Sequence, residues 1–316
     1  MAKEIGITEV HQICARHQIT VRDVTTIEGS FRKEIFFINQ EFLLRVSEAP
    51  MTHEQEKFRR VGVLPFVPKI IHTGMLQQES GPIYYTFLTL MPGDDFVNTY
   101  HQTSEMQHKQ LGKEAAKFLD GLHEIIGMHY DIGLYIPVLP DFSGSWREGH
   151  QQYWEKLFKH SQRIPLSSDS ARVFQRSFQY MDASADVLAY QIGPKLLHND
   201  FHPKNILLHQ GKFSAVIDWE CSQFGEPDFE LCHLLHWCLY PPDADIDFRT
   251  FLRSLFEASP ICTQVPDLSK RLTIYEIEHE IQQIIWSEGQ AESVRVPRLS
   301  WWLDGGVDDL LREIGI

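Results

Sequence analysis

One short stretch of the sequence concentrates side chains whose types and spacing suit catalysis. Residues 198–205 have the sequence His-Asn-Asp-Phe-His-Pro-Lys-Asn, which places Asp200 five residues before Asn205, and Asp218 follows beyond a predicted hairpin. In phosphotransferase sites an Asp accepts or orients the proton of the attacking hydroxyl, and an Asn and a second Asp at this spacing bind magnesium. The pattern predicts these roles for Asp200, Asn205 and Asp218 respectively.

The local sequence also explains how the two predicted ligands meet. Apolar strands precede and follow the loop, and Gln210-Gly211 is a turn signal before a further strand at residues 213–217. Such a hairpin brings Asn205 and Asp218 to the same end, as two ligands of one metal ion require. Their oxygen atoms suit magnesium bound to a triphosphate, whereas His and Cys would be the wrong ligands.

At these residues the chain resembles the aminoglycoside phosphotransferase and choline kinase family, whose catalytic segment has His-Gly-Asp, an Asn, a hairpin and Ile-Asp. The resemblance extends to residues 225–231, similar to the family's Gly-Asp-Pro followed by Asp-Leu, and to its Leu-Gly and Leu-His helix at residues 111–123. Asn199 stands where the family has Gly, and Trp219 where Phe is common. His202 occupies the position of a Lys in related protein kinases, which makes it a candidate catalytic hydrogen-bond donor.

The resemblance implies an α+β fold of the bilobal protein-kinase-like type. A small β-rich N-terminal lobe is expected over residues 1–91, and a larger, mainly α-helical C-terminal lobe over residues 92–316. β-Branched and aromatic residues predict strands at residues 23–27, 34–39, 41–46, 67–71 and 84–90. Helical patterns cover residues 105–123, 149–159, 169–188, 228–239, 247–257, 268–286 and 307–314.

The resemblance further implies an ATP site in the first lobe. The residues that match the family's nucleotide-binding positions are Gly29, Ser30, Arg45, Glu56, Leu88 and Leu90. Arg45 takes the place of a Lys that contacts the phosphates, and Arg and Lys differ in reach and geometry. Glu56 would hold that cation, with Glu54 as the competing candidate. Backbone groups from Leu88 to Leu90 would bind adenine.

The acceptor site of this family lies on the C-terminal helices, where acidic residues grip amino groups. Candidates here are Asp243, Glu276 and Glu280, and the two glutamates are four residues apart on one predicted helical face. A solvated acidic helix face is the structural alternative. The resemblance favours a cationic, aminoglycoside-like antibiotic as acceptor and hence a role in antibiotic resistance. Macrolides, homoserine, choline, methylthioribose and fructosamine adducts remain open.

Composition limits the possible partners. The chain has 316 residues and a formal net charge of −14, with a pI near 5.5. That balance argues against nucleic acid or an anionic membrane as a partner and suits a cationic ligand, although an acidic surface also serves solubility. The start of the sequence lacks the apolar run of a signal peptide, so we expect a cytoplasmic protein. The oligomeric state is left open.

Three other hypotheses compete with the kinase. His198, Asp200 and His202 alternate, and on a strand they would share a face that could bind a transition metal in a hydrolase or oxygenase. Cys232 and His236 would share a face of a helix and suggest zinc, but the apolar residues between them favour a buried helix. The third hypothesis is a kinase-fold protein that binds its ligand without turnover.

Overall fold

The computed structural model describes residues 5–27, 34–79, 81–134 and 138–316, and the chain divides into two compact units. The first unit comprises Met1–Asp94, Leu207–Gln210 and Ser214–Glu220, and the second comprises Asp95–Ile206, Gly211–Phe213 and Cys221–Ile316. The N-terminal part is rich in strands and the C-terminal part is mainly helical. This confirms the predicted fold class. The first unit differs from the predicted N-terminal lobe because it includes most of the hairpin that follows Asn205.

The first unit is built on an antiparallel sheet with strand order β1-β2-β3-β5-β4. Its strands are β1 (Val24–Ile27), β2 (Glu34–Ile38), β3 (Phe42–Ser47), β4 (Ile70–Gln78) and β5 (Gly81–Thr89). All five were predicted, although β4 begins later and ends later than expected. The turn between β2 and β3 is tight because Asn39 and Gln40 both adopt positive φ, 58° and 57°. Ile38 pairs with Phe42, so the loop contains three residues, and the two successive residues with positive φ match the twist of the flanking strands.

Two helices accompany this sheet, α1 (Ile7–Arg16) and α2 (Thr52–Val61). The sequence analysis did not predict α1. Val10, Ile13 and Cys14 lie on one face of α1 and are buried in the same core as Phe36 and Leu44 of the sheet. Their spacing of three and four residues is the signal that would have found this helix.

The second unit contains most of the helices. They are α3 (Phe96–Thr99), α4 (Glu105–Leu122), α5 (Trp146–Ser161), α6 (Ser168–Ser184), α7 (Glu230–Leu239), α8 (Arg249–Ala258), α9 (Ile261–Gln264), α10 (Leu268–Trp286), α11 (Glu292–Leu303) and α12 (Gly306–Glu313). The remaining strands are short: β6 (Asp94–Asp95), β7 (Tyr130–Ile132), β8 (Leu139–Phe142), β9 (Lys195–Leu197), β10 (Ile206–His209), β11 (Lys212–Val216) and β12 (Gln223–Gly225). Within the described ranges, no helix is long and apolar enough to cross a membrane.

Local sequence signals fix the ends of the long helices. Ser104 and Ser145 each cap a helix N-terminus, and Gln107 and Glu148, three residues later, return a hydrogen bond to the capping backbone. These reciprocal bonds satisfy amide groups that the first helical turn leaves unpaired. The caps explain why α4 and α5 begin where they do.

Helix α10 lies at the centre of the second unit and is buried along most of its length. Its Arg271 forms a bidentate ion pair with Asp228, at 2.6 Å from Nε to Oδ2 and 2.9 Å from Nη2 to Oδ1, and neither side chain is exposed. Arg271 also donates to the backbone carbonyls of Val187 and Tyr190. The guanidinium of α10 therefore contacts two other segments of the chain, and its charge is paired with the Asp228 carboxylate.

We expect Arg271→Met to lower the free energy of unfolding by about 3–5 kcal/mol, because it leaves the Asp228 carboxylate buried without a counter-charge. Urea-induced unfolding followed by tryptophan fluorescence measures the change. The double variant Arg271→Met with Asp228→Asn should recover part of the loss, since no net charge is then buried. Equal losses in the single and double variants would show that the ion pair is not the cause.

Candidate active site

The loop that carries Asp200 connects β9 to β10 and contains one residue in a left-handed conformation. Asn199 has a φ of 60°, and its side chain is almost fully buried. Among residues other than Gly, Asn is one of the few that adopts this conformation readily. The observed backbone therefore explains why Asn can stand at a position where the resembling family has Gly.

A buried carboxyl group at the start of α7 holds this loop. Glu230 accepts hydrogen bonds from the backbone amides of His198 at 2.6 Å and Asn199 at 2.9 Å, and interacts with the amide of Phe201. Burial, which outweighs the hydrogen bonds from the backbone amides, and the nearby Asp200 charge together raise the pKa of Glu230 to about 8. The loop backbone is thus fixed by a side chain that lies more than 25 residues away in the sequence.

Asp200 is ionised and held by two histidines. Its Oδ1 lies 3.3 Å from His202 Nε2 and 3.4 Å from His233 Nδ1. Burial alone would raise the pKa of Asp200, but the hydrogen bonds and electrostatic interactions with these two histidines outweigh that effect and hold the pKa well below its usual range. With 18% of its side chain exposed, the carboxylate still reaches solvent. It can therefore orient a hydroxyl group and accept its proton.

Asn205 presents its amide oxygen away from Asp200. Its Nδ2 donates to the Asp200 backbone carbonyl at 2.9 Å and to the Asp200 carboxylate at 3.1 Å. Both partners are acceptors, so the nitrogen must be the atom that faces them. Among the described residues Oδ1 has no hydrogen-bond partner in the protein. This orientation fits the predicted role, because a magnesium ion binds the amide oxygen.

In the first unit, Arg45 of β3 lies beside two carboxylates. Its Nη2 is 3.1 Å from Glu220 Oε2 and 3.9 Å from Asp218 Oδ1, and the Arg45 side chain is almost fully buried. Asp218 adopts a φ of 64°, and 35% of its side chain is exposed. Its carboxylate therefore fits a metal ligand that is accessible from solvent. Glu56 forms an ion pair with Arg60 at 2.6 Å, and its predicted support of Arg45 stays a prediction.

The other predicted nucleotide contacts stay predictions as well. Gly29 and Ser30 lie outside the described residues. Leu88 is buried in β5 between its register partners in β3 and β4. Leu90 follows that strand, and its backbone amide donates to the carbonyl of Glu41 at 3.2 Å.

The three predicted acceptor-binding carboxylates occupy unlike positions. Asp243 is exposed and accepts a hydrogen bond from the backbone amide of Asp245. Glu276 and Glu280 are fully buried in α10 rather than on an open helix face. Burial, with repulsion from Glu280, raises the pKa of Glu276 well above its ordinary value. Glu280 forms an ion pair with Arg295 at 3.1 Å, so its charge is already compensated within the protein.

The competing metal hypotheses find no geometric support in the part of the chain that the structure describes. No cluster of three or more His, Cys, Asp or Glu side chains is arranged there to hold a metal ion. His202 instead stacks on Trp237, with ring centroids 4.1 Å apart and planes 12° from parallel. Cys232 and His236 lie in the buried helix α7, which confirms the structural interpretation of that segment.

Comparisons with known proteins identify the family and the fold. A family model described as the phosphotransferase enzyme family matches residues 23–258. The fold is similar to a crystal structure of aminoglycoside phosphotransferase APH(4)-Ia, with a TM-score of 0.66, 17% identity, and coverage of 98% of this chain and 100% of the other. It is also similar to a streptomycin and ATP complex of APH(2")-IIa, with a TM-score of 0.64, 19% identity and 100% coverage of both chains.

One curated relative shares a short segment. Hygromycin-B 4-O-kinase of Escherichia coli is 38% identical over 42 residues, which are 13% of this chain and 12% of that protein. A ternary complex of a thermostable mutant of APH(4)-Ia with ADP and hygromycin B matches at a TM-score of 0.62, 17% identity, and coverage of 96% of this chain and 98% of the other. The structural similarity extends over nearly the whole chain, whereas the sequence match to this relative is local.

The pKa of Glu230 predicts a specific pH dependence of stability. The pKa of Glu230 in the folded protein, about 8, exceeds the ordinary value of 4.5. Its stabilising contribution to the free energy of unfolding is therefore fully present below pH 4.5 and is lost as pH rises through 8. Relative to Glu230→Gln, the wild type should therefore lose more than about 1 kcal/mol of unfolding free energy between pH 5 and pH 8.5. Urea unfolding of both proteins across that range measures the difference, in which groups common to both cancel.

A matched control is Glu155→Gln, because Glu155 is 72% exposed and forms only a helical surface pair with Lys159. Its difference from the wild type should stay nearly constant over the same range. A constant difference for Glu230→Gln too would contradict the raised pKa.

Proposed function

The chain belongs to the phosphotransferase enzyme family, and we propose that it transfers the γ-phosphate of ATP to a hydroxyl group of a small molecule. The environment of Asp200 is the observation that carries this proposal. An ionised carboxylate stands on a fixed loop, is partly open to solvent, and is hydrogen-bonded to an Asn whose amide oxygen accepts no hydrogen bond from the described residues. Phosphoryl transfer requires that combination of a positioned acceptor group and an adjacent oxygen ligand.

Asp200 would act mainly by orienting the acceptor hydroxyl. Its low pKa makes it a weak base at neutral pH. In the loose transition state of phosphoryl transfer, the bond between the acceptor oxygen and phosphorus is only slightly formed. The hydroxyl proton can therefore leave late, and Asp200 need not be a strong base. His202 and His233 would keep the carboxylate ionised and directed, which makes them positioning residues in this proposal.

Asn205 and Asp218 would hold magnesium through their oxygen atoms. When bound, the ion neutralises charge on the phosphate oxygens during transfer. Arg45 would contact the nucleotide phosphates, and its pairing with Glu220 and Asp218 would hold its long side chain in one orientation beforehand. Support for the nucleotide comes from relatives whose solved structures contain ATP or ADP.

The acceptor is proposed here only as a hydroxyl-bearing small molecule. The names of the similar proteins support an aminoglycoside, as the sequence analysis expected. Of the three carboxylates that were expected to bind its amino groups, Asp243 is exposed and could do so. Glu276 and Glu280 are buried and do not support that choice. A binding protein without turnover is disfavoured because Asp200, Asn205 and Asp218 are all present.

We expect Asp200→Asn to reduce acceptor-dependent ADP release from magnesium ATP by about 10²- to 10⁴-fold, because the amide cannot accept the hydroxyl proton. ATP binding, measured by calorimetry, should persist. Asp182→Asn serves as the control, since Asp182 is exposed on α6 and should leave turnover unchanged. Undiminished turnover in Asp200→Asn would refute the assigned role.

We also expect Arg45→Met to weaken ATP binding by at least about tenfold, the equivalent of one charge-assisted hydrogen bond. Arg45→Lys should be intermediate, because it keeps the charge and loses the planar fork. Calorimetric titration with magnesium ATP measures both. Arg22→Met is the control, because Arg22 is 67% exposed and pairs with Glu41 at the surface. Equal affinities in all four proteins would remove Arg45 from the nucleotide site.

A further inference from the structure

A cavity of about 300 Å³ opens in the second unit and has no assigned role. Helices α7, α10 and α11 surround it. Its lining includes His236, Trp237, Tyr240, His279, Arg295 and Arg298. The size suits part of a metabolite, and the mixture of aromatic walls with a few polar groups is typical of small-molecule sites.

Two series of contacts connect this cavity to Asp200. In the first, Trp237 stacks on His202, whose Nε2 lies 3.3 Å from the Asp200 carboxylate. In the second, His279 meets His233 edge to face at 5.3 Å, and His233 Nδ1 lies 3.4 Å from the same carboxylate oxygen. A molecule in the cavity would therefore share its walls with the residues that position Asp200. This location is suited to the acceptor.

The charges that face the cavity are positive. Arg295 and Arg298 line it, whereas none of its described lining residues carries a carboxylate. Glu276 and Glu280 lie beneath the lining with no exposed side-chain surface. Glu280 pairs with Arg295, but among the described residues no carboxylate forms an ion pair with Arg298. The Arg298 guanidinium favours the ionised forms of the buried Glu276 and Glu280 through space, and it lines the cavity.

His236 lies between the two guanidinium groups. Its Nε2 lies 3.4 Å from Nη1 of Arg295 and 3.4 Å from Nη1 of Arg298. Arginine can only donate, so Nε2 must be the acceptor and the ring proton must lie on Nδ1. Burial, with the nearby arginine charges, lowers the pKa of His236 well below its ordinary value, which is consistent with a neutral ring. Arg298 also packs 3.7 Å above the centroid of the Tyr240 ring.

We propose that this cavity binds the anionic group of the acceptor, so that the substrate is a hydroxylated carboxylate or phosphate rather than a polycationic aminoglycoside. This inference rests on the proposed function. Guanidinium groups bind planar carboxylates and phosphates through paired hydrogen bonds, and their orientation here is set before the ligand arrives. A polyamine in the same cavity would face two like charges with no exposed carboxylate among the lining residues to balance them.

The test is ADP release from magnesium ATP with four groups of acceptors. They are hydroxycarboxylates such as gluconate and glycerate, sugar phosphates such as glucose 6-phosphate, neutral polyols, and aminoglycosides including hygromycin B. Calorimetric binding of the same compounds accompanies the assay. We expect stimulation or binding within one of the two anionic groups, and the group that responds distinguishes carboxylate from phosphate recognition.

Variants of Arg298 then locate the binding group. Arg298→Gln should raise the KM, or weaken the binding, of the responding anion by about 10- to 100-fold, the range for one charge-assisted contact, with a smaller effect on kcat. Arg298→Lys should lie between. The control is Arg312→Gln, because the Arg312 side chain is 75% exposed on α12 and should change nothing.

The outcomes separate this inference from the function on which it rests. Stimulation by aminoglycosides alone, unaffected by Arg298→Gln, overturns the anionic acceptor and leaves the kinase intact. The anionic acceptor is also overturned if no anion in the panel binds and none stimulates ADP release. Absence of magnesium ATP binding to the wild-type protein would instead refute the proposed function.

Discussion

The loop that carries Asp200 is held by one buried carboxyl group, and the rest of the candidate site depends on that attachment. Glu230 lies at the start of α7 and accepts hydrogen bonds from backbone amides of the loop. Two residues earlier, Asp228 ties the same segment to Arg271 of α10. Because α7 and α10 also supply the walls of the cationic cavity, the position of Asp200 and the shape of that cavity are fixed by the same short segment.

The features that the sequence predicted well are those with local causes. The strands of the first unit follow from runs of β-branched and aromatic residues, and α4 and α8 follow from the helical periodicity of their apolar residues. The loop around Asp200 was recognisable because the spacing of its functional residues is set by one turn and one hairpin. Asn199 departs from the family pattern, and its left-handed backbone conformation is one that Asn adopts readily.

The features that the sequence could not reveal depend on distant partners. Glu276 and Glu280 share a helical face, as predicted, but that face is buried. Arg295 of α11 forms an ion pair with Glu280 there and compensates its charge. Helix α11 itself was not predicted, since Pro297 lies inside it and Pro usually interrupts a helix. Without α11, neither the burial of the glutamates nor the guanidinium groups of the cavity could be foreseen. The overall charge of −14 pointed to a cationic ligand, yet it describes the whole surface and not the local potential of one cavity.

Phosphorus NMR of the complete reaction tests the central claim most directly, because it identifies the product rather than the loss of ATP. The protein would be incubated with magnesium ATP and the anionic acceptor to which it responds. The account predicts a new phosphomonoester signal that grows in step with ADP and is absent with Asp200→Asn. Formation of ADP with inorganic phosphate alone, in the presence of a bound acceptor, would contradict it.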